Sequence, residues 1–286
     1  MPELRELVAK ELRLPVDARV SAMAAAIAAK HGSASRAVLF YGSCLREQQL
    51  NGLMLDFYLV VSSYTAAYAK RWLAAANRLI PPNVFYFEHD GLVSKYAVLS
   101  ETDFHRLCGP ETSNVSVWAR FAQPSRLVWA AGPEAAQKSI KAVARAAPTL
   151  LAAAKPRKEE EALDLWRRAF ALTYSAELRA ERKTRSTSVV DLDPKRYRLF
   201  TGPALKAAQG LRPHGSWARR RFEGKALTVM RLAKASLTFA GGADYIAWKI
   251  NRHAGTDIEL KPWQRRHPLL AGITLLPRLL KSGAVR

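Results

Sequence analysis

An α/β (α+β) fold with a mixed sheet, followed by a mainly helical region and a basic amphipathic helical tail, is predicted by three observations. Two β-rich runs, "RAVLFYG" and "MLDFYLVV", flank a polar loop and lead into a helical pattern, "TAAYAKRWLAAANRLI", that stops before Pro81-Pro82. "VFYFEHDGLVSKYAVLS" alternates as two strands around Asp90-Gly91, a pair suited to a tight turn. After about residue 150 the periodicity is helical and the basic excess grows towards the C-terminus.

In chain order, residues 4–31 read as one or two helices carrying Leu4, Leu7, Leu12 and an alanine-rich stretch, ended at His31-Gly32. The strand, loop, strand, helix unit and the hairpin follow. Residues 101–130 read as short helices and loops with a basic-aromatic segment, "FAQPSRLVWAA". "EAAQKSIKAVARAAPTLLAAA" is helical up to Pro148, with its resumption beyond the proline left open, and a first domain is expected over 1–150. "EEEALDLWRRAFALTYSAELRAERK" is a long helix with acids at its N-terminal end, where they suit the macrodipole. It opens a second region, 151–211, and "STSVVDLDPKRYRLFTG" leads as strand or loop into a short helix. The last region, 212–286, holds 15 basic against 4 acidic side chains, about half of the chain's net +21.

At 286 residues and 49% hydrophobic, the chain can bury a substantial core and is not disordered. The charge predicts an anionic partner, with a solvated basic face as the bland alternative. Two distant cysteines, Cys44 and Cys108, suggest neither a disulfide framework nor a zinc site, and fit a reducing cytoplasm. No apolar run approaches the roughly 20 residues of a spanning helix. Glu3, Glu6, Glu11 and Asp17 argue against a transit peptide, so the mature protein is expected to begin near Met1.

One residue breaks the apolar pattern. Asp56 sits inside "MLDFYLVV", where an unpaired carboxylate would cost several kcal/mol. It needs a basic partner, hydrogen bonds or a metal.

A Gly42-Ser43 loop leaving one strand, with an acid in the next, resembles the signature of polymerase-β-like nucleotidyltransferases. Four blocks in order narrow the resemblance to the mitochondrial-type phosphatidate cytidylyltransferases: "YGSC" with "MLDFYLVV", "SKYAVLS", "ALTYSAELRAERK" and "GKALTVMRLAKASLTFAGGADYIAWKI". The chain departs from the family in the short Val61–Val84 segment, which lacks its Trp-His and His-Tyr-Ser elements, and in Ala97 for Gly and Glu177 for Asp. Tyr58 stands where much of the superfamily has a second acid.

The resemblance implies a nucleotidyltransferase domain, a helical winged-helix-like domain and transfer of CMP from CTP to phosphatidate with Mg²⁺. Gly42 would let the backbone approach the triphosphate, and Ser43 would donate to a phosphate oxygen. Asp56 would hold Mg²⁺, with Lys95 and Tyr96 at the nucleotide. Glu177 would be a further metal ligand or orienting acid, or else a helical surface charge. Arg126 is a candidate for the anionic substrate.

The tail is read as an interfacial device on an anionic membrane, peripheral and not spanning. Arg219, Arg220, Arg221, Lys225, Arg231 and Lys234 would supply charge, and Leu269, Leu270, Ile273, Leu276 and Leu280 an apolar stripe. That stripe packing on the core is the alternative. No nucleic acid partner is expected on this reading, and the oligomeric state is left open. A nucleotidyltransferase acting on RNA or protein, or a catalytically silent binder of membrane or nucleic acid, remains the competing reading.

Overall fold

The computed structural model describes residues 2–47, 50, 53–177, 189–238, 251 and 259–266. Five strands, β1 Ser35–Tyr41, β2 Met54–Val61, β3 Asn83–His89, β4 Leu92–Ser100 and β5 Ser125–Ala130, form one mixed sheet in the order β3-β4-β2-β1-β5. β2 and β4 run parallel and every other neighbouring pair is antiparallel. The expected α/β class is therefore observed.

Around the sheet lie α1 Pro2–Leu12, α2 Ala18–Lys30, α3 Ser43–Glu47, α4 Tyr64–Ala67, α5 Arg71–Leu79, α6 Glu101–Leu107, α7 Ser116–Phe121, α8 Pro133–Val143 and α9 Ala146–Ala154. They are followed by α10 Ala162–Ala176, α11 Pro194–Ala208, α12 Trp217–Thr238 and α13 Pro262–Arg266. Local chemistry sets several boundaries. Asp17 caps α2 by accepting from the Arg19 amide at 2.8 Å, and Asp193 caps α11 with Pro194 behind it. The β3–β4 turn is made at Asp90 and Gly91, both at positive φ.

Some expectations are revised. The helix expected over 65–80 is two helices, because Tyr68 leaves helical geometry (φ −128°, ψ 125°) and buries its ring beside His31 and Phe85. Pro148 does not stop a helix: it lies in the first turn of α9, where its missing N–H goes unused. "SRLVWA" is an edge strand paired to β1, not a loop.

Side-chain alternation divides the sheet into two faces. Val38, Phe40, Leu55, Phe57, Leu59, Tyr96 and Val98 pack with Met23 and Ile27 of α2. Ala37, Leu39, Tyr41, Tyr58, Val60, Ala97 and Leu99 pack with α6, α7 and α9. The second cluster continues into Leu163, Trp166 and Phe170 of α10 and Tyr197 and Phe200 of α11, across the boundary expected near residue 150. A buried ion pair binds the ends of this region together: Arg196 Nη2 donates to Glu11 Oε1 at 3.0 Å, and Nη1 to the Ala122 carbonyl at 3.1 Å.

Candidate active site

The partner of Asp56 is Lys95. The two are opposed in the β2–β4 register, and Nζ lies 2.9 Å from Oδ1 with both side chains mostly covered. Tyr41, the last residue of β1, is opposite Asp56 on the other side, which delivers Gly42 to the carboxylate. Gly42 has φ +95°, and a Cβ there would fall 2.7 Å from Asp56 Oδ2. Both its conformation and the close approach require glycine. Ser43 then begins α3, half-buried.

Tyr41, Tyr58 and Phe121 form an aromatic floor beside the acid, with ring centroids 5.2–6.1 Å apart. The Tyr41 and Tyr58 phenols are held above their ordinary pKa, first by burial. They are neutral hydroxyls at neutral pH.

Arg120, on α7, stands over the Tyr41 ring at 5.5 Å. Burial opposes its charge, but its surroundings, the phenol oxygens of Tyr41 and Tyr58 and the carboxylates of Glu177 and Asp56, outweigh it and hold the proton more firmly than usual. Sequence reading missed this residue: a lone arginine between Ala119 and Phe121 carries no motif.

Glu177 is brought to the same place from the end of α10, where the chain turns extended (φ −120°, ψ 153°). It lies within electrostatic reach of Tyr58, Arg120 and Arg231. The approach of α12 is close here, since a Cβ on Gly224 would meet the Ala176 carbonyl oxygen at 2.1 Å.

Other assigned residues stand elsewhere. Tyr96 faces the opposite side of the sheet from Asp56 and Lys95, buried, with its hydroxyl 3.2 Å from His31 Nε2; strand alternation forces this on the neighbour of Lys95. Arg126 donates to the Ser125 carbonyl at 2.9 Å, and the charges around it are Glu11, Arg196 and Asp193, not Asp56.

The basic cluster of the tail also divides. Arg220, Arg231 and Lys234 recur with Gly224 on the inward face of α12. Arg220 donates to the His214 carbonyl at 2.9 Å and Arg231 to Pro81 O at 2.8 Å and Ser116 Oγ at 3.2 Å. Lys234 donates to the carbonyls of Ile80 and Pro82, the latter at 2.9 Å. These three hold the helix to the protein and are not a free basic surface. Arg219 pairs with Glu223, while Arg221 and Lys225 are exposed beside Phe222, Val229 and Met230. Leu269, Leu270, Ile273, Leu276 and Leu280 lie outside the described residues.

Among the described residues no group of three or more His, Cys, Asp and Glu side chains could hold a metal by itself, and no helix is long and apolar enough to cross a membrane. The arrangement offers one carboxylate oxygen facing a glycine backbone, a lysine on the other oxygen, and an arginine and a second acid beside them. Such a site suits an anionic ligand that brings oxygen donors of its own. No family model matches the chain, and no curated protein matches it either.

Proposed function

We propose that the chain is a nucleotidyltransferase that transfers CMP from CTP to phosphatidate, releasing pyrophosphate and forming CDP-diacylglycerol. The observation that carries this reading is the contact of the Gly42 backbone with Asp56 Oδ2, while Lys95 occupies Oδ1. A triphosphate can approach a backbone without a side chain, and Ser43 and Lys95 supply donors for its oxygens.

The site fits a Mg²⁺ ion that arrives with nucleotide, because the ion favours one or two carboxylates completed by phosphate oxygens and water. Asp56 would hold it, with Glu177 as a second acid nearby. When bound, Mg²⁺ supplies neutralisation of charge on the phosphates.

Phosphatidate needs little help as a nucleophile. A phosphate monoester is largely dianionic near neutral pH, its second pKa being about 6. One of its oxygens forms the new bond to the α-phosphorus, the bond to the bridging oxygen breaks, and pyrophosphate leaves. The protein's contribution is position and charge, from Ser43, Lys95 and the fixed Gly42 backbone. The neutral Tyr41 and Tyr58 wall off water on one side.

Residues 151–211 would form the winged-helix-like unit, with α10 and α11 as its helices, and α12 would face the membrane. The supporting observation is the outward face of α12, where exposed Phe222, Val229 and Met230 are rimmed by Arg221 and Lys225. The protein would thus work peripherally at the cytoplasmic side of an anionic bilayer.

Incubation with radioactive CTP, Mg²⁺ and phosphatidate liposomes tests the proposal, and a labelled liponucleotide is the expected product. Label appearing instead on RNA or protein would assign a different acceptor. No transfer from any nucleotide would favour a silent anion-binding protein, the reading to which Tyr58 in place of a second acid and the Lys95–Asp56 pair lend some weight.

A further inference from the structure

The arginines that hold this fold place N–H groups on protein acceptors, although Arg46 Nε, Arg126 Nε, Arg220 Nε and Arg231 Nη2 are buried without a partner. Arg196 is matched by Glu11 and the Ala122 carbonyl, Arg145 by Glu111 and the His105 carbonyl, and Arg168 by Glu160 and the Ala154 carbonyl. Arg120 is different. Its guanidinium lies over the Tyr41 ring and, among the described residues, makes no hydrogen bond and no ion pair, although Asp56 and Glu177 are both within electrostatic reach.

The side chain is nevertheless well positioned. α7 is otherwise a buried helix, in which Ser116, Val117, Trp118, Ala119 and Phe121 are all covered, so its direction is fixed by packing. Tyr41, over which Arg120 stands, belongs to β1, whereas Lys95 belongs to β4, and Asp56 lies on β2 between them. Asp56 is therefore flanked by one cation on each side. Lys95 sets its ammonium against Asp56 Oδ1 and has further N–H groups beside that contact, whereas Arg120 keeps a planar fork of five N–H donors. Half-covered donors that are held in place and unmatched by protein can exchange water for the oxygens of a ligand.

We propose that Arg120 is a phosphate ligand, gripping two oxygens of a phosphoryl group seated between Tyr41, Asp56 and Glu177. The inference deepens the nucleotidyl-transfer reading and rests on it for the identity of the substrates. Two sources share the chemistry, the triphosphate of CTP and the phosphomonoester of phosphatidate.

Calorimetry on the full chain with Mg²⁺ separates them, one arm using CTP and the other a short-chain, water-soluble phosphatidate. Arg120→Gln is expected to weaken one arm by about tenfold to a hundredfold, the value of a charged hydrogen bond. Arg120→Lys, which keeps the charge and loses the fork, is expected to fall between. Arg106→Gln, a charge removed from the surface pair with Asp103, controls for net charge and is expected to leave both arms unchanged. Loss confined to CTP assigns Arg120 to the nucleotide, and loss confined to phosphatidate assigns it to the acceptor. Unchanged affinity in both arms overturns the proposal even if wild-type protein transfers CMP. If Arg120→Gln fails to fold, the lysine variant decides: native affinity in both arms with a native melting transition overturns the proposal. Because binding is read directly, failure of CMP transfer in the wild type counts against the function and not against the ligand.

Discussion

Lys95 and Asp56 are opposed across the one parallel strand pair of the sheet, with Nζ 2.9 Å from Oδ1. The pair answers the cost of a carboxylate in an apolar strand and leaves Oδ2 turned towards Gly42. Asp56→Asn is expected to abolish CMP transfer while keeping the melting transition within a few degrees, since the amide preserves shape. Lys95→Met removes one partner of a largely covered pair and is expected to cost about 1–3 kcal/mol in urea denaturation, besides weakening CTP binding.

Gly42→Ala meets two obstacles at once. The φ of +95° is unfavourable for any side chain, and the new methyl would have to displace Asp56 Oδ2. A loss of roughly 1–3 kcal/mol of stability is expected, together with loss of nucleotide binding. Ser43→Ala serves as comparison: it should weaken CTP binding in calorimetry and leave stability nearly unchanged.

At Gly224 the same logic applies away from the strands. A methyl there cannot fit against the Ala176 carbonyl oxygen, so α12 must move off the end of α10, where Glu177 is placed. Gly224→Ala is expected to reduce transfer about as much as Glu177→Gln and also to lower the melting temperature, an effect the Glu177 variant should not share.

Lys234 ties stability to pH. Burial, and then Arg231, push its amine down to about 7, well below the 10.5 of a free lysine. The folded protein therefore releases this proton first, and the unfolded chain keeps it until about pH 10. Stability should rise with pH from about 7 towards 10, with a slope of at most about 1.4 kcal/mol per unit. The neutral amine still has two N–H groups for the Ile80 and Pro82 carbonyls. Urea titrations of wild type and Lys234→Met at several pH values should show the slope in the first and its loss in the second.

Strand pattern and turn chemistry made most of the sheet readable in advance. Alternation gave β3 and β4 and Asp90-Gly91 gave their turn, while the break in apolarity at Asp56 announced that it must have a partner. The identity of that partner was not readable, because Lys95 is 39 positions away and only the parallel register of β2 and β4 makes them neighbours. Arg120 was hidden for the same reason. Counting basic residues overstated the free charge of the tail: the helical period of α12 turns Arg220, Arg231 and Lys234 inward onto backbone carbonyls. Tyr96 was misplaced by adjacency, since neighbours in a strand point to opposite faces.

The buried pair of Glu11 and Arg196 joins residues 185 positions apart. Its formation closes a very long loop, a step that comes late because local contacts form at lower entropic cost. During synthesis α1 has emerged long before its partner on α11 exists, so α1 can pack on β5 and α8 first and meets α11 only afterwards. The last turns of the core are then set by the second half, and a chain cut near residue 150 would keep its strand sequences yet lack the cover that α10 and α11 give α9.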